Sequence, residues 1–152
     1  MPLPKSVTKI DKNGVKFTSN VDRAKYTIKE LTRAALRDTA KLIRKRLIEK
    51  LRHLPGFFDY GNTNRLYSSS QYWLRRREGD LQIGFKHDTW YGSRGELGEH
   101  GSPKRGLLRT TVYENINEIR RIQAQYLSAI EDENRALGLI DENEHKSGDG
   151  PE

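Results

Sequence analysis

The side chains able to do chemistry are few and scattered. Histidines stand at His53, His87, His100 and His145, and there is no cysteine, so thiol catalysis, disulfide scaffolds and Cys-type zinc sites are excluded. No His-x-x-x-His pair occurs. The nearest approach to a ligand set is Glu96 with His100, in Gly95-Glu96-Leu97-Gly98-Glu99-His100, a spacing that serves a metal only on a helix. The neighbouring glycines argue against a helix there, so no metal is expected. Ser68-Ser69-Ser70 lacks the strand-turn-helix setting and the glycines of an activated serine, and reads as a polar turn. Gly92, Gly95, Gly98, Gly101 and Gly106 match neither the phosphate-loop pattern nor the dinucleotide fingerprint. No catalytic residue and no cofactor is expected, and the chain is read as a non-enzyme.

What remains is a constellation suited to binding. Tyr72-Trp73-Leu74-Arg75-Arg76-Arg77 interleaves aromatics with cations, as a platform for single-stranded nucleic acid would. Strand alternation puts Trp73 and Arg75 on the face opposite Tyr72 and Leu74, so only part of the cluster can meet a ligand. The same residues also fit an edge strand kept from aggregating by exposed arginines.

The elements that must position these residues come from a chain of 152 residues, of which 34% are hydrophobic and 32% charged, with mean hydropathy −0.90. One domain with a narrow core and two flexible ends fits that length and composition. No apolar run approaches the roughly 20 residues that span a bilayer, and Met1 to Lys5 lacks the apolar stretch of a signal peptide, so no membrane partner is expected and the expected compartment is the cytosol or an assembly built there. The formal charge of +7 is unevenly spread. Lys and Arg against Asp and Glu count 15 to 6 over residues 1–60, 9 to 5 over 61–110, and 4 to 10 over 111–152. Basic front and acidic back could pair copies head to tail; the preferred reading is that the helix faces are solvated and the acidic excess belongs to a disordered tail.

The element order follows from periodicity. Val7 to Phe17 reads as two short strands around Asn13-Gly14, a hairpin over 7–18. After Ser19 and Asn20, apolar residues recur at helical spacing from Ala24 through Ile28, Leu31, Ala35, Leu42, Ile43 and Leu47 to Leu51. This predicts a helix over about 21–53, stopped by Pro55-Gly56, with eleven Lys and Arg between 23 and 52. Residues 54–70 read as a loop whose Phe57 and Phe58 tuck into a neighbour. Gln71 to Lys86 reads as a second hairpin around Glu78-Gly79-Asp80, with Leu81, Ile83 and Phe85 on the buried face. Residues 88–106 read as a long glycine-rich loop, with a short strand at Thr89-Trp90-Tyr91. Thr111 and Glu114 have capping-box spacing, and Val112, Ile116, Ile119, Ile122, Tyr126 and Ile130 mark a second long helix over about 109–137. The expected fold is α+β: a small antiparallel sheet of hairpins packed with two long helices, forming one domain over 1–140. Residues 141–152 are expected to be an acidic, flexible tail.

Tyr91-Gly92-Ser93-Arg94-Gly95-Glu96-Leu97-Gly98, then Pro103-Lys104-Arg105-Gly106-Leu107-Leu108-Arg109 and an amphipathic helix, resembles the head-tail joining or tail-completion proteins of long-tailed bacteriophages. In that family an aromatic strand leads to a Glu-x-Gly element, matched here by Glu96 and Gly98. A Pro- and Arg-containing turn with an apolar pair follows, matched by Arg105, Leu107 and Leu108, with Gly106 where a second proline or aromatic is common. The similarity covers about residues 7–137, and the acidic tail is extra. The resemblance implies a structural virion protein of the neck, assembled in the host cytoplasm as a homo-oligomeric ring of six copies. Its implied partners are its own copies, neck, stopper or portal-side proteins, and the tail tube, with phage DNA passing non-specifically nearby. Expected inter-subunit or partner contacts are Trp73, Arg75, Arg76, Arg77, Trp90, Tyr91, Glu96 and Arg105, on the 71–86 hairpin and the 88–106 loop. Two other readings stand beside it: a basic nucleic-acid-binding protein, and an adaptor that uses the helix over 21–52.

Overall fold

A computed structural model describes residues 4–5, 7–10, 14, 16–53, 66–87, 89–98, 101 and 104–146. The α+β class holds. Strands β1 (Val7–Ile10) and β2 (Lys16–Ser19) form one antiparallel hairpin, and β3 (Ser70–Arg75) and β4 (Asp80–Phe85) form another. The helices are α1 (Val21–Arg52), α2 (Trp90–Leu97), α3 (Leu107–Glu114), α4 (Ile116–Ser128) and α5 (Glu133–Lys146), with a 3-10 turn at Leu66–Ser69. The hairpins are two separate two-stranded sheets, not one. Phe57 and Phe58 lie outside the described residues.

The chain divides into two compact units, Met1–Ala35 with Ala124–Glu152, and Leu36–Gln123. In the first, Gly14 has φ +76°, the left-handed value the hairpin loop needs. Helix α1 begins directly after Asn20, whose carbonyl accepts the Ala24 N–H at 2.9 Å, and Asp22 lies in its first turn, where the dipole favours an anion. This unit buries Leu31, Ala34 and Ala35 of α1, Tyr126 of α4, Ala129, and Ala136 and Ile140 of α5.

The second unit is built on Leu47 and Leu51 of α1 and Leu66 of the 3-10 turn, with Tyr67, Phe85, Leu107 and Leu108 packed against them. The β3–β4 register pairs Tyr72 with Ile83 and Leu74 with Leu81, and all four are partly buried. Trp73 pairs with Gln82 and Arg75 with Asp80 on the other face.

Three expectations are corrected. The helix over 109–137 is three helices. Its first break is at Asn115, whose Nδ2 donates to the Thr111 carbonyl at 2.8 Å and competes with the backbone ladder. Its second follows Ser128, where Ala129 and Ile130 donate to Tyr126 and Leu127 in tight three-residue steps. Asp132 then restarts the chain by accepting the Arg135 N–H at 3.3 Å, an N-cap that periodicity does not show. Second, Thr111 is no cap: it lies inside α3, fully buried, its hydroxyl donating to the Leu107 carbonyl at 2.7 Å. Third, residues 141–146 are not a free tail but the end of α5, a helix already nucleated by Asp132 and anchored by Ala136 and Ile140. Residues 147–152 lie outside the described residues.

Candidate functional site

The 88–106 stretch is not a loop with a strand. Trp90 and Tyr91 open helix α2, and of the two glycines inside it Gly92 sits where neighbours come too close for a side chain. A Cβ on Gly92 would lie 2.8 Å from Leu66 Cδ1 and 3.0 Å from the Phe85 ring. Those contacts seat α2 on β4 and the 3-10 turn, so the helix propensity lost at Gly92, about 1 kcal/mol, is offset by close packing. Thr89 is buried just ahead of it, its Oγ1 donating to the Lys86 carbonyl at 2.7 Å. Gly98 ends the helix at φ +77°, its N–H donating to the Arg94 carbonyl at 2.8 Å in a left-handed cap. A Cβ there would meet Lys104 Cβ at 2.7 Å and Lys104 backbone at 3.0 Å.

This close approach brings α2 against the start of α3. Gly106 is the residue before α3, at φ +56°, and it has no side chain with which to cap the helix. Glu96 supplies the missing acceptors. Its Oε2 accepts the Leu108 N–H at 2.9 Å and its Oε1 the Arg109 N–H at 3.0 Å, placing a carboxylate on the positive end of the helix dipole. The Arg105 N–H donates to the Gly95 carbonyl at 2.8 Å and completes the brace. Glu96 therefore has a role within the chain, as the cap of α3. One signal in the sequence points this way: Arg105-Gly106-Leu107 contains no Ser, Thr, Asp or Asn to start a helix. Leu97 and Arg105 stay exposed at this corner, Leu97 by 58%.

The hairpin presents the other expected residues. Arg75 is held by Asp80 through Nε at 2.7 Å and a second bond from Nη2, a bidentate pair across the end of the ladder. That pair pushes the Asp80 carboxyl below the usual carboxylate range and raises Arg75, in both cases chiefly through the shared hydrogen bonds. Arg76 and Arg77 lie in the turn, exposed, and Trp73 is 45% exposed. The Trp73 ring reaches across to Gly84, its Cζ3 standing 3.7 Å from where a Cβ would be.

The basic face of α1 is in part committed within its own chain. Lys50 pairs with Glu114 and Arg46 with Glu118 at 3.7 Å; Arg44 Nε donates to the Ser70 carbonyl at 3.0 Å, and the Arg52 guanidinium stands 5.2 Å from the Tyr67 ring centroid. So acidic residues of the C-terminal helices meet the basic helix intramolecularly, which reduces the field left for a second copy. His53 and His87 are exposed, and His100 lies outside the described residues. Among the described residues no group of three His, Asp or Glu side chains could hold a metal ion, and no helix is long and apolar enough to cross a membrane. No protein-family model, curated protein or solved structure matches the chain.

Proposed function

We propose that the chain is a structural ring subunit of a phage neck, joining the head connector to the tail tube. The reading rests on the resemblance carried by Glu96, Gly98, Arg105, Leu107 and Leu108. The observation that supports it best is that Glu96, Gly98, Arg105 and Leu108 meet at one braced corner, while Leu107 and Leu108 pack on the core beside it. Glu96 holds the N–H groups of Leu108 and Arg109, Gly98 packs on Lys104, and Arg105 bonds Gly95. A short motif whose residues brace one another is a coherent building block rather than a chance run of letters. In a ring, one patch of each copy meets a different patch on the next, and a rigid corner with an exposed Leu97 suits such a heterologous contact.

Light scattering on the purified chain, alone and with a tail-tube protein, tests the proposal. A species near six times 17.6 kDa is expected. Leu97→Glu, on a residue that contributes little to the core, should leave the circular dichroism unchanged and dissociate that species. A monomer under every condition, with tail protein present, would overturn the ring; an intact ring in the Leu97→Glu variant would move the contact elsewhere.

A further inference from the structure

We propose that the outer face of the β3–β4 hairpin is a stacking platform for single-stranded nucleic acid. Trp73 takes a base, and Arg76, Arg77 and Lys86 take phosphates. The inference does not rest on the ring reading, because it uses none of the residues of the Glu96 corner.

The geometry begins with alternation. On β3, Tyr72 and Leu74 turn inward and Trp73 outward; on β4, Gln82 and Gly84 share the Trp73 face, and Lys86 follows in the same phase just past the strand end. Gly84 has no side chain, so the indole settles across the neighbouring strand and keeps 45% of its surface open. Gln71 and Gln82 flank the ring on this face and carry amide groups that can bond base edges.

Cations stand on both sides of the ring. At about 3.3 Å per residue, Arg75 at the end of β3 stands roughly 7 Å from Trp73 and Arg76 and Arg77 follow in the turn, while Lys86 lies roughly 13 Å beyond Gln82 in the opposite direction. Arg76, Arg77 and Lys86 are exposed, and none is held by a carboxylate among the described residues. Arg75 is excluded from the set, because Asp80 neutralises it; the same pair removes Asp80 as a repelling charge. Glu78 is the remaining acid of the turn. The strip therefore alternates cation, aromatic plane and cation over a span of a few nucleotides.

An acidic peptide would use the cations but would have no need of the indole plane, whereas every unpaired base has a π-face to offer it. A duplex buries those faces in its own stack. The ligand class is therefore a strand with unstacked bases.

The test is fluorescence anisotropy of a labelled dT oligomer of about 15 nucleotides titrated with the full-length chain across a salt series. Trp73→Ala should weaken binding roughly 5- to 100-fold, and Trp73→Phe should restore most of it, since a benzene ring still stacks. The Arg76→Ala, Arg77→Ala double variant should flatten the slope of log affinity against log salt by about 1.4, as two phosphates lose their cations. Circular dichroism of each variant separates these losses from unfolding. Three results would overturn the proposal: no binding at about 50 mM salt, equal binding by wild type and a folded Trp73→Ala variant, or displacement of the oligomer by polyglutamate as readily as by unlabelled dT. The last would transfer the cations to an acidic protein partner.

Discussion

The Glu96 corner and the outer face of the β3–β4 hairpin belong to the same compact unit, and both carry residues that the sequence marks as contacts. In the corner the charged group finds its partners within the chain: Glu96 caps α3, Gly92 takes the Leu66 and Phe85 side chains where a Cβ would stand, and Gly98 takes Lys104. On the hairpin only Arg75 is so engaged, while Trp73, Arg76 and Arg77 face solvent. A charged or aromatic residue in a surface-like motif thus says little by itself. What separates a brace from a contact is whether its polar atoms are already satisfied, and only three-dimensional neighbours decide that.

Substitutions should divide the two regions by their cost. The largest loss is expected at the glycines of the corner. Gly98→Ala combines a left-handed φ with a clash against Lys104 backbone, and Gly92→Val drives a branched side chain into Leu66 and Phe85. Each should cost about 2–3 kcal/mol in urea unfolding. Either variant proving neutral would show that the corner yields easily and is no brace.

Glu96→Ala should come next. It leaves two N–H groups of α3 without their acceptor and removes a charge from the helix N-terminus, for a loss of about 1–2 kcal/mol. Glu96→Gln retains one carbonyl acceptor and should lose less. Amide exchange at Leu108 and Arg109 should speed up in both variants, the local signature of an uncapped turn.

On the hairpin, reversing Arg76 and Arg77 to Glu should leave stability within about 0.5 kcal/mol, because neither side chain is tied down among the described residues. A loss as large as that of Glu96→Ala would abolish the contrast.

The smallest effect is electrostatic. Asp80 should titrate below the ordinary carboxylate range by NMR, and Arg75→Ala should return it toward its ordinary value. A depressed folded pKa means that the pair adds its stability above the unfolded-state pKa and loses it as pH falls through the folded value. Because the pair is exposed, salt should shrink the shift. A shift that persists at high salt would show a better shielded hairpin end than the structure has.

Periodic features were legible. The long helix ends at Arg52 just before Pro55, and the inward set Tyr72, Leu74, Leu81 and Ile83 follows alternation alone. Helix α2 was not, because glycine's cost in a helix is a local rule, whereas the packing that offsets it at Gly92 comes from Leu66, twenty-six residues earlier in the chain. The break at Asn115 and the restart at Asp132 are hidden for a related reason. Apolar spacing runs through both points, while a side-chain amide competing for a carbonyl decides where one helix stops and a capping carboxylate where the next starts. Of the eight candidate contacts, the alternation of Trp73 and Arg75 could be read in advance. The capture of Arg75 by Asp80 and of two α3 N–H groups by Glu96 could not, since each depends on a partner positioned by a turn or a helix end.

By itself, then, the sequence determined the α+β class, the long first helix, the faces of the second hairpin and the absence of thiol chemistry, because each depends on composition or on a repeat of two or 3.6 residues. The tertiary structure decided where the helices break, why Gly92 lies inside one of them, and which charges remain open to a partner. Those outcomes turn on distances between residues far apart in the chain, and local spacing does not carry that information.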